Sequence, residues 1–193
     1  MTDVDERRLS DLEYVVLGLI SVEPQSGYSI ISTFETGQFQ RWSASPGSIY
    51  PMLKRLEQSD YVEGNLEGVH ETRPRKMYSL TPKGEDGLDA WIRAAPTKQE
   101  ISELRDVMLL KFLFSENRLS HEEVLAWLDR YEGATDQYEK MFHLQRAPEL
   151  DVWSTHQLLV VEEALMELSM QRSWIQMARH RLNVERMRSE SRE

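Results

Sequence analysis

Apolar side chains recur along this chain at helical spacing in long blocks, interrupted once by a short strand-like stretch. Leu12, Val15, Val16, Leu19 and Ile20 fall three and four apart, which predicts a helix with a wide buried stripe. Ser10 followed by Glu13 makes a capping box that opens it; Pro24 ends it, and Gln25-Ser26-Gly27 reads as a turn. A second helix is expected from about Tyr28 to Thr36, with Ile30, Ile31 and Phe34 inward and Gly37 as its breaker. The third, Ser45 to Ser59, divides sharply. Ile49, Met52, Leu53 and Leu56 share one face, while Gly47, Ser48, Pro51, Lys54, Arg55 and Gln58 share the other. Its small residues sit at the N-terminal end, where unpaired N–H groups and the helix dipole favour a phosphate. Pro51 is tolerated because it falls in the first turns. Trp42, just ahead of this helix, reads as an aromatic plug under the turn. Three short-linked helices of this kind predict a helix-turn-helix bundle whose third member is the recognition helix.

The pattern then changes. Tyr61 to Asn65 and Lys76 to Thr81 carry strand-forming residues around a Gly-containing, charged connection, which predicts a β-hairpin. Arg73, Arg75 and Lys76 place three positive charges on its return arm, suited to a DNA backbone or groove. The alternative is an edge strand protected by charge and proline. Thr81-Pro82 opens another helix, which packs back through Leu88, Trp91 and Ile92.

Ala94-Ala95-Pro96-Thr97 marks the domain boundary, giving an N-terminal domain of residues 1–95 and a C-terminal domain of residues 96–193. The second domain reads as all helical. One helix carries Leu104, Val107, Met108, Lys111 and Phe112; the next opens at a Ser120–Glu123 capping box and runs to about Gln145. Pro148 separates it from a last helix, about Val152 to Leu182. There Leu158, Val161, Leu165, Leu168, Ile175 and Leu182 follow a 3-4 spacing interrupted by Arg172 and Arg179. Leu159, Met166, Trp174 and Met177 widen the apolar surface beyond one seam, so a homodimer through the first set of residues is expected. The tail after Asn183 is charged and reads as disordered. The fold class is therefore mainly α with a small β-hairpin: an N-terminal winged helix-turn-helix followed by a C-terminal all-α dimerisation domain.

Charge complicates this picture. The net charge of −10 opposes nucleic-acid binding at face value. Between Arg41 and Lys83, however, seven basic residues stand against five acidic ones, so the acid excess lies elsewhere. Arg7 and Arg8, ahead of the first helix, read as solvated, with reach to a DNA backbone as the alternative. No run approaches the roughly 18 to 20 apolar residues that span a bilayer, and the charged N-terminus is unlike a signal peptide, so no membrane partner and a cytoplasmic location are expected. The absence of cysteine excludes a thiol nucleophile and cysteine-ligated zinc.

Little other chemistry is indicated. His70, His121, His143, His156 and His180 form no close helical pairs, so no metal site is expected. Adjacent acids such as Glu162 and Glu163 diverge by about 100° on a helix and cannot flank one substrate. With no nucleophile elbow, Walker loop or dinucleotide fingerprint, neither an enzyme nor a cofactor is expected. Trp127, Tyr131, Tyr138, Phe142, Trp153 and Trp174 offer aromatic walls, and Arg172 or His180 a cation, for a small acidic ligand. At helical spacing such aromatics serve the core more often than a pocket.

LSDLEYVVLGLI, SGYSI, SPGSIYPMLKRLEQSDYVEG and RKMYSLTPKGE occur in that order, and together they resemble the PadR family of bacterial transcriptional regulators. The resemblance covers residues 9 to 95 well; LRDVMLLKFLF and the long last helix extend it through the chain. It implies a dimeric winged-helix repressor with two N-terminal domains in successive major grooves of a palindromic operator, and C-terminal helices holding the dimer. By position it assigns Ser45, Gly47, Ser48, Tyr50 and Lys54 to the recognition helix and Arg73, Arg75 and Lys76 to the wing; Arg55 joins them on its helical face. It also implies a small-molecule effector, aromatic or phenolic in the first member studied. A protein-interaction adaptor built on the same winged helix is the alternative, favoured by the acidic net charge.

Overall fold

The computed structural model describes residues 8–36, 42, 45–67, 75–146 and 152–191. Arg7, Gly37, Arg41, His70, Arg73 and Pro148 lie outside the described residues. The chain divides into two compact units, Met1–Ile92 and Arg93–Glu193.

The first unit contains α1 (Asp11–Val22), β1 (Gln25–Ser26), α2 (Gly27–Thr36), α3 (Pro46–Gln58), β2 (Val62–Glu67), β3 (Arg75–Leu80) and α4 (Pro82–Arg93). Ser10 and Glu13 cap α1 reciprocally: the Glu13 amide donates to Ser10 Oγ at 3.3 Å, and the Ser10 amide donates to Glu13 Oε2 at 2.9 Å. The core gathers Val16 and Leu17 from α1, Ile30 and Phe34 from α2, Ile49, Leu53 and Leu56 from α3, and Leu88 and Ile92 from α4. Tyr14 stacks on Trp91 with ring centroids 5.1 Å apart, closing α4 onto α1. Trp42 is half-buried.

The sheet has three strands rather than the two of a hairpin. Gln25 and Ser26, expected as a turn, pair antiparallel with Tyr78 and Met77, giving the order β1-β3-β2. Two residues are too few to show periodicity, but their backbone groups gain partners in the ladder. β3 is thus paired on both sides at Met77 and Tyr78, whereas Arg75 and Lys76 pair only with Glu67 and Leu66 of β2. A tight knot joins α3 to α4. The Tyr61 amide donates to Leu56 O at 2.9 Å, and the Thr81 amide to Tyr61 O at 3.2 Å. The Thr81 hydroxyl donates to Asp60 O and accepts from the Gly84 amide. Asp60 makes the reversal with φ of 62°.

The second unit comprises α5 (Lys98–Ser102), α6 (Arg105–Phe114), α7 (His121–Arg146) and α8 (Thr155–Glu190). Its core collects Ile101, Met108, Trp127, Leu128, Tyr131, Leu168, Ile175 and Ala178. α5, not among the expected helices, follows directly on the Ala94–Thr97 boundary: it is one turn long, with a Thr97–Glu100 capping box. The tail after Asn183, expected to be disordered, continues α8 to Glu190. Arg186 supports it by pairing with Glu122 of α7 and, at 2.8 Å, with Glu190 one turn on.

α7 and α8 run antiparallel, fastened by a ladder. Arg172 pairs with Asp136 and Glu139, Arg179 with Asp129 and Glu132, and Arg186 with Glu122. The arginines that interrupt the apolar spacing of α8 are therefore the charged margin of its contact with α7. Hydrogen bonds from Arg172 and Arg179 hold the Glu139 and Glu132 carboxyls below the usual range.

Candidate nucleic-acid interface

α3 presents its site because its two faces have different fates. Ile49, Met52, Leu53 and Leu56 are buried, which turns Gly47, Tyr50, Pro51, Lys54, Arg55 and Gln58 outward. The N-terminus is held by a serine pair: the Ser45 amide donates to Ser48 Oγ at 3.0 Å, and the Ser48 hydroxyl donates to Ser45 O at 2.9 Å. Pro46 starts the helix at a position where a missing N–H costs nothing. The carbonyl that Pro51 leaves without a helical partner belongs to exposed Gly47, where water can satisfy it.

Tyr50 is half exposed, at 49%. Its ring lies against Gly27, the first residue of α2; a Cβ there would stand 2.5 Å from Tyr50 Cε1. The missing side chain at Gly27 is thus what allows the Tyr50 ring to lie over the start of α2. Sequence spacing gave no sign of this, because the residues belong to different helices.

The basic residues do not stand alone. Arg55 Nη2 lies 3.5 Å from Glu13 Oε1, whose side chain is buried and fixed by the α1 cap. Lys76 Nζ lies 2.7 Å from Glu57 Oε2 at the C-terminal end of α3, and this hydrogen bond holds the ammonium above the ordinary lysine range. Lys76 also sits 5.3 Å from the Tyr78 ring centroid. Arg75 faces Glu67 across the β2–β3 register. Lys54 is exposed and makes no ion pair with another described residue. Spacing marks Glu13 as a cap, and it also falls on the buried face of α1; its pairing with Arg55, like that of Glu57 with Lys76, joins residues of different elements and leaves no local signal in the sequence.

The residues expected at a dimer seam have intrachain partners. Val161, Leu168 and Ile175 are buried within the single chain; Leu165 and Leu182 pack against the same core, and Leu158 is half-buried. On the opposite face of α8, Leu159, Met166, Met170, Met177 and Met187 are exposed. Of the aromatic walls, Trp127 and Tyr131 are core residues; burial pushes the Tyr131 hydroxyl up to about 12. Arg172 is already held by two carboxylates. A separate cavity of about 160 Å³ is lined by Pro96, Thr97, Lys98, Ile101, Ala134, Gln137, Tyr138 and Met141. Among the described residues no helix is long and apolar enough to cross a membrane, and no group of three His, Asp or Glu side chains could hold a metal ion.

The model of the transcriptional regulator PadR-like family matches residues 16–90. The negative transcriptional regulator PadR of Bacillus subtilis is 30% identical over 161 residues, covering 82% of this chain and 80% of the relative. Among solved structures, Bacillus subtilis PadR in complex with operator DNA is 25% identical, with 91% of this chain and 99% of that one covered and a TM-score of 0.44. The same protein in complex with p-coumaric acid is 26% identical, with 90% and 99% covered and a TM-score of 0.40. An outward-facing α3, a three-stranded sheet and a helical second unit, in a chain with this degree of identity to a curated regulator, place it: the chain belongs to the PadR-like family of transcriptional regulators.

Proposed function

We propose that the chain is a homodimeric negative regulator that binds a palindromic operator, with α3 in the major groove and the β2–β3 wing against the neighbouring backbone. The observation that carries this reading is α3: its apolar face is consumed by the core, while Ser45, Gly47, Ser48, Tyr50 and Lys54 line the outward side and its N-terminus. Arg55, Arg75 and Lys76 add charge beside it, and Arg73 belongs to the same basic run. Repression is the sense indicated by the curated relative. Pairing of two chains falls to the exposed Met-rich face of α8, since the face opposite already packs within one chain. A cytoplasmic location goes with that reading, since DNA is the proposed target.

A small aromatic acid is the effector class that the second unit suits. The cavity beside α5 and α7 has an apolar floor of Ile101, Ala134 and Met141, and Lys98 Nζ stands 5.8 Å from the Tyr138 ring centroid, so a carboxylate and a ring find partners together. Occupation would repack α5 against α7 and shift the two recognition helices relative to the roughly 34 Å groove repeat.

A gel-shift titration of the double variant Lys54→Ala, Arg75→Ala on the operator tests the DNA surface. Each lost phosphate contact lowers the slope of log affinity against log salt by about 0.9. Unchanged affinity and slope would remove the assignment.

A further inference from the structure

We infer that Glu57 is an internal counter-ion that occupies Lys76 and limits how strongly this winged helix binds DNA irrespective of sequence. The inference rests on the DNA-binding reading above and adds a residue that opposes binding.

The geometry differs from that of an ordinary structural pair. Lys76 Nζ and Glu57 Oε2 are 2.7 Å apart, yet their side chains remain 39% and 32% exposed, so an incoming phosphate can reach the ammonium. The route between them is kept open by Gly64. A Cβ on Gly64 would stand 2.1 Å from Lys76 Cε and 2.8 Å from Glu57 Oε1, so the lysine lies across β2 only because that position has no side chain. Glu57 also follows Lys54 by three residues on α3, which puts it on the same side of the helix. Its carboxylate therefore neighbours a cation of the recognition helix and one of the wing.

Glu13 is not equivalent. It pairs with Arg55, but its side chain is 3% exposed and tied into the α1 cap, so it cannot follow or repel an approaching backbone in the same way.

The consequence comes from electrostatics. When Lys76 turns to a DNA phosphate it must leave Glu57, and the carboxylate then lies beside the phosphate with like charge. Non-specific complexes depend almost wholly on phosphate contacts, whereas operator complexes also draw on base edges. A penalty confined to a phosphate contact is therefore a larger fraction of the free energy of a non-specific complex, and it lowers the affinity for every duplex whose backbone Lys76 meets by a similar factor. Because exposed ion pairs add little to folding stability, Glu57→Gln removes the carboxylate and leaves the fold in place.

Fluorescence anisotropy with the full chain, on the operator and on a scrambled duplex of equal length, tests this between about 50 and 200 mM salt. Glu57→Gln should bind the scrambled duplex more tightly than wild type, with a salt slope steeper by about 0.9, one added phosphate contact. The operator should gain by a similar factor, as expected of a contact that carries no sequence information. In the Lys76→Gln background the same change should give a distinctly smaller gain. An unchanged or weaker Glu57→Gln complex would show that the pair is a strut and overturn the inference, as would an equal gain without Lys76. A wild-type chain that binds neither duplex would instead overturn the DNA reading.

Discussion

The ammonium of Lys111 lies 2.6 Å from Glu100 Oε1, and both side chains are sealed from water inside the second unit. Glu100 also caps α5 by accepting from the Thr97 amide at 2.7 Å. Burial pushes the Glu100 carboxyl up, but the hydrogen bonds from Lys111 and Thr97 outweigh it and hold the group below the usual range. A carboxyl depressed in the folded state contributes stability above its unfolded value, about 4.5, and that contribution is lost as pH falls through the folded value. Glu100→Gln should cost up to about 3–5 kcal/mol near neutral pH, because it takes away the carboxylate that faces the buried lysine charge. Urea unfolding of both forms as pH is lowered from 7 should show their difference narrowing in acid; a constant difference would remove the linkage.

Gly27 and Gly84 make a matched pair of tests. A Cβ on Gly84 would lie 2.0 Å from the backbone oxygen of Tyr61, which is fixed by the Thr81 amide. A Cβ on Gly27 would instead meet the Tyr50 ring, the end of a side chain that can swing outward. Gly84→Ala should therefore lower stability by about 1–3 kcal/mol or more. Gly27→Ala should leave the melting temperature nearly unchanged and alter operator affinity through the displaced Tyr50. Equal losses of stability in the two variants would contradict this division.

What was legible in the sequence was local. The Ser10, Thr81 and Ser120 starts, the Ile49–Leu56 face and the Leu88–Ile92 packing depend on residues three or four apart, so spacing reveals them. The rest depends on partners far along the chain. β1 exists through Met77 and Tyr78, the end of α8 is supported by Glu122, and Lys76 meets an acid nineteen residues away. Charge composition made the last turns of α8 look like a solvated tail because it does not show which cross-helix acid each arginine meets. The same blindness made the α8 apolar seam look intermolecular: spacing shows that a stripe must be covered, but not whether α7 of the same chain covers it.

Gly133 offers the simplest gain in stability. It lies in the interior of α7 on an exposed position, and a Cβ there would meet no atom within 4 Å. Glycine in a helix interior costs about 0.5–1 kcal/mol relative to alanine. Gly133→Ala should raise the unfolding free energy by that increment, and the thermal midpoint with it, without altering DNA binding. A lowered midpoint would mean that the position meets something in the functional assembly, such as a second chain.

The two faces of α8 separate core from proposed dimer contact. Leu168 is 3% exposed in the core with α7, whereas Met166, two residues earlier and nearly opposite on the helix, is 71% exposed, with Met170 beside it. Leu168→Ala should lose about 2–5 kcal/mol through transfer and cavity terms. Met166→Glu combined with Met170→Glu puts like charges on the proposed pairing face and should give monomers in sedimentation with native helical content. Operator affinity should fall with it, because two half-sites are then bound independently rather than by one linked dimer. If the charged variant still sediments as a dimer, the pairing surface lies elsewhere.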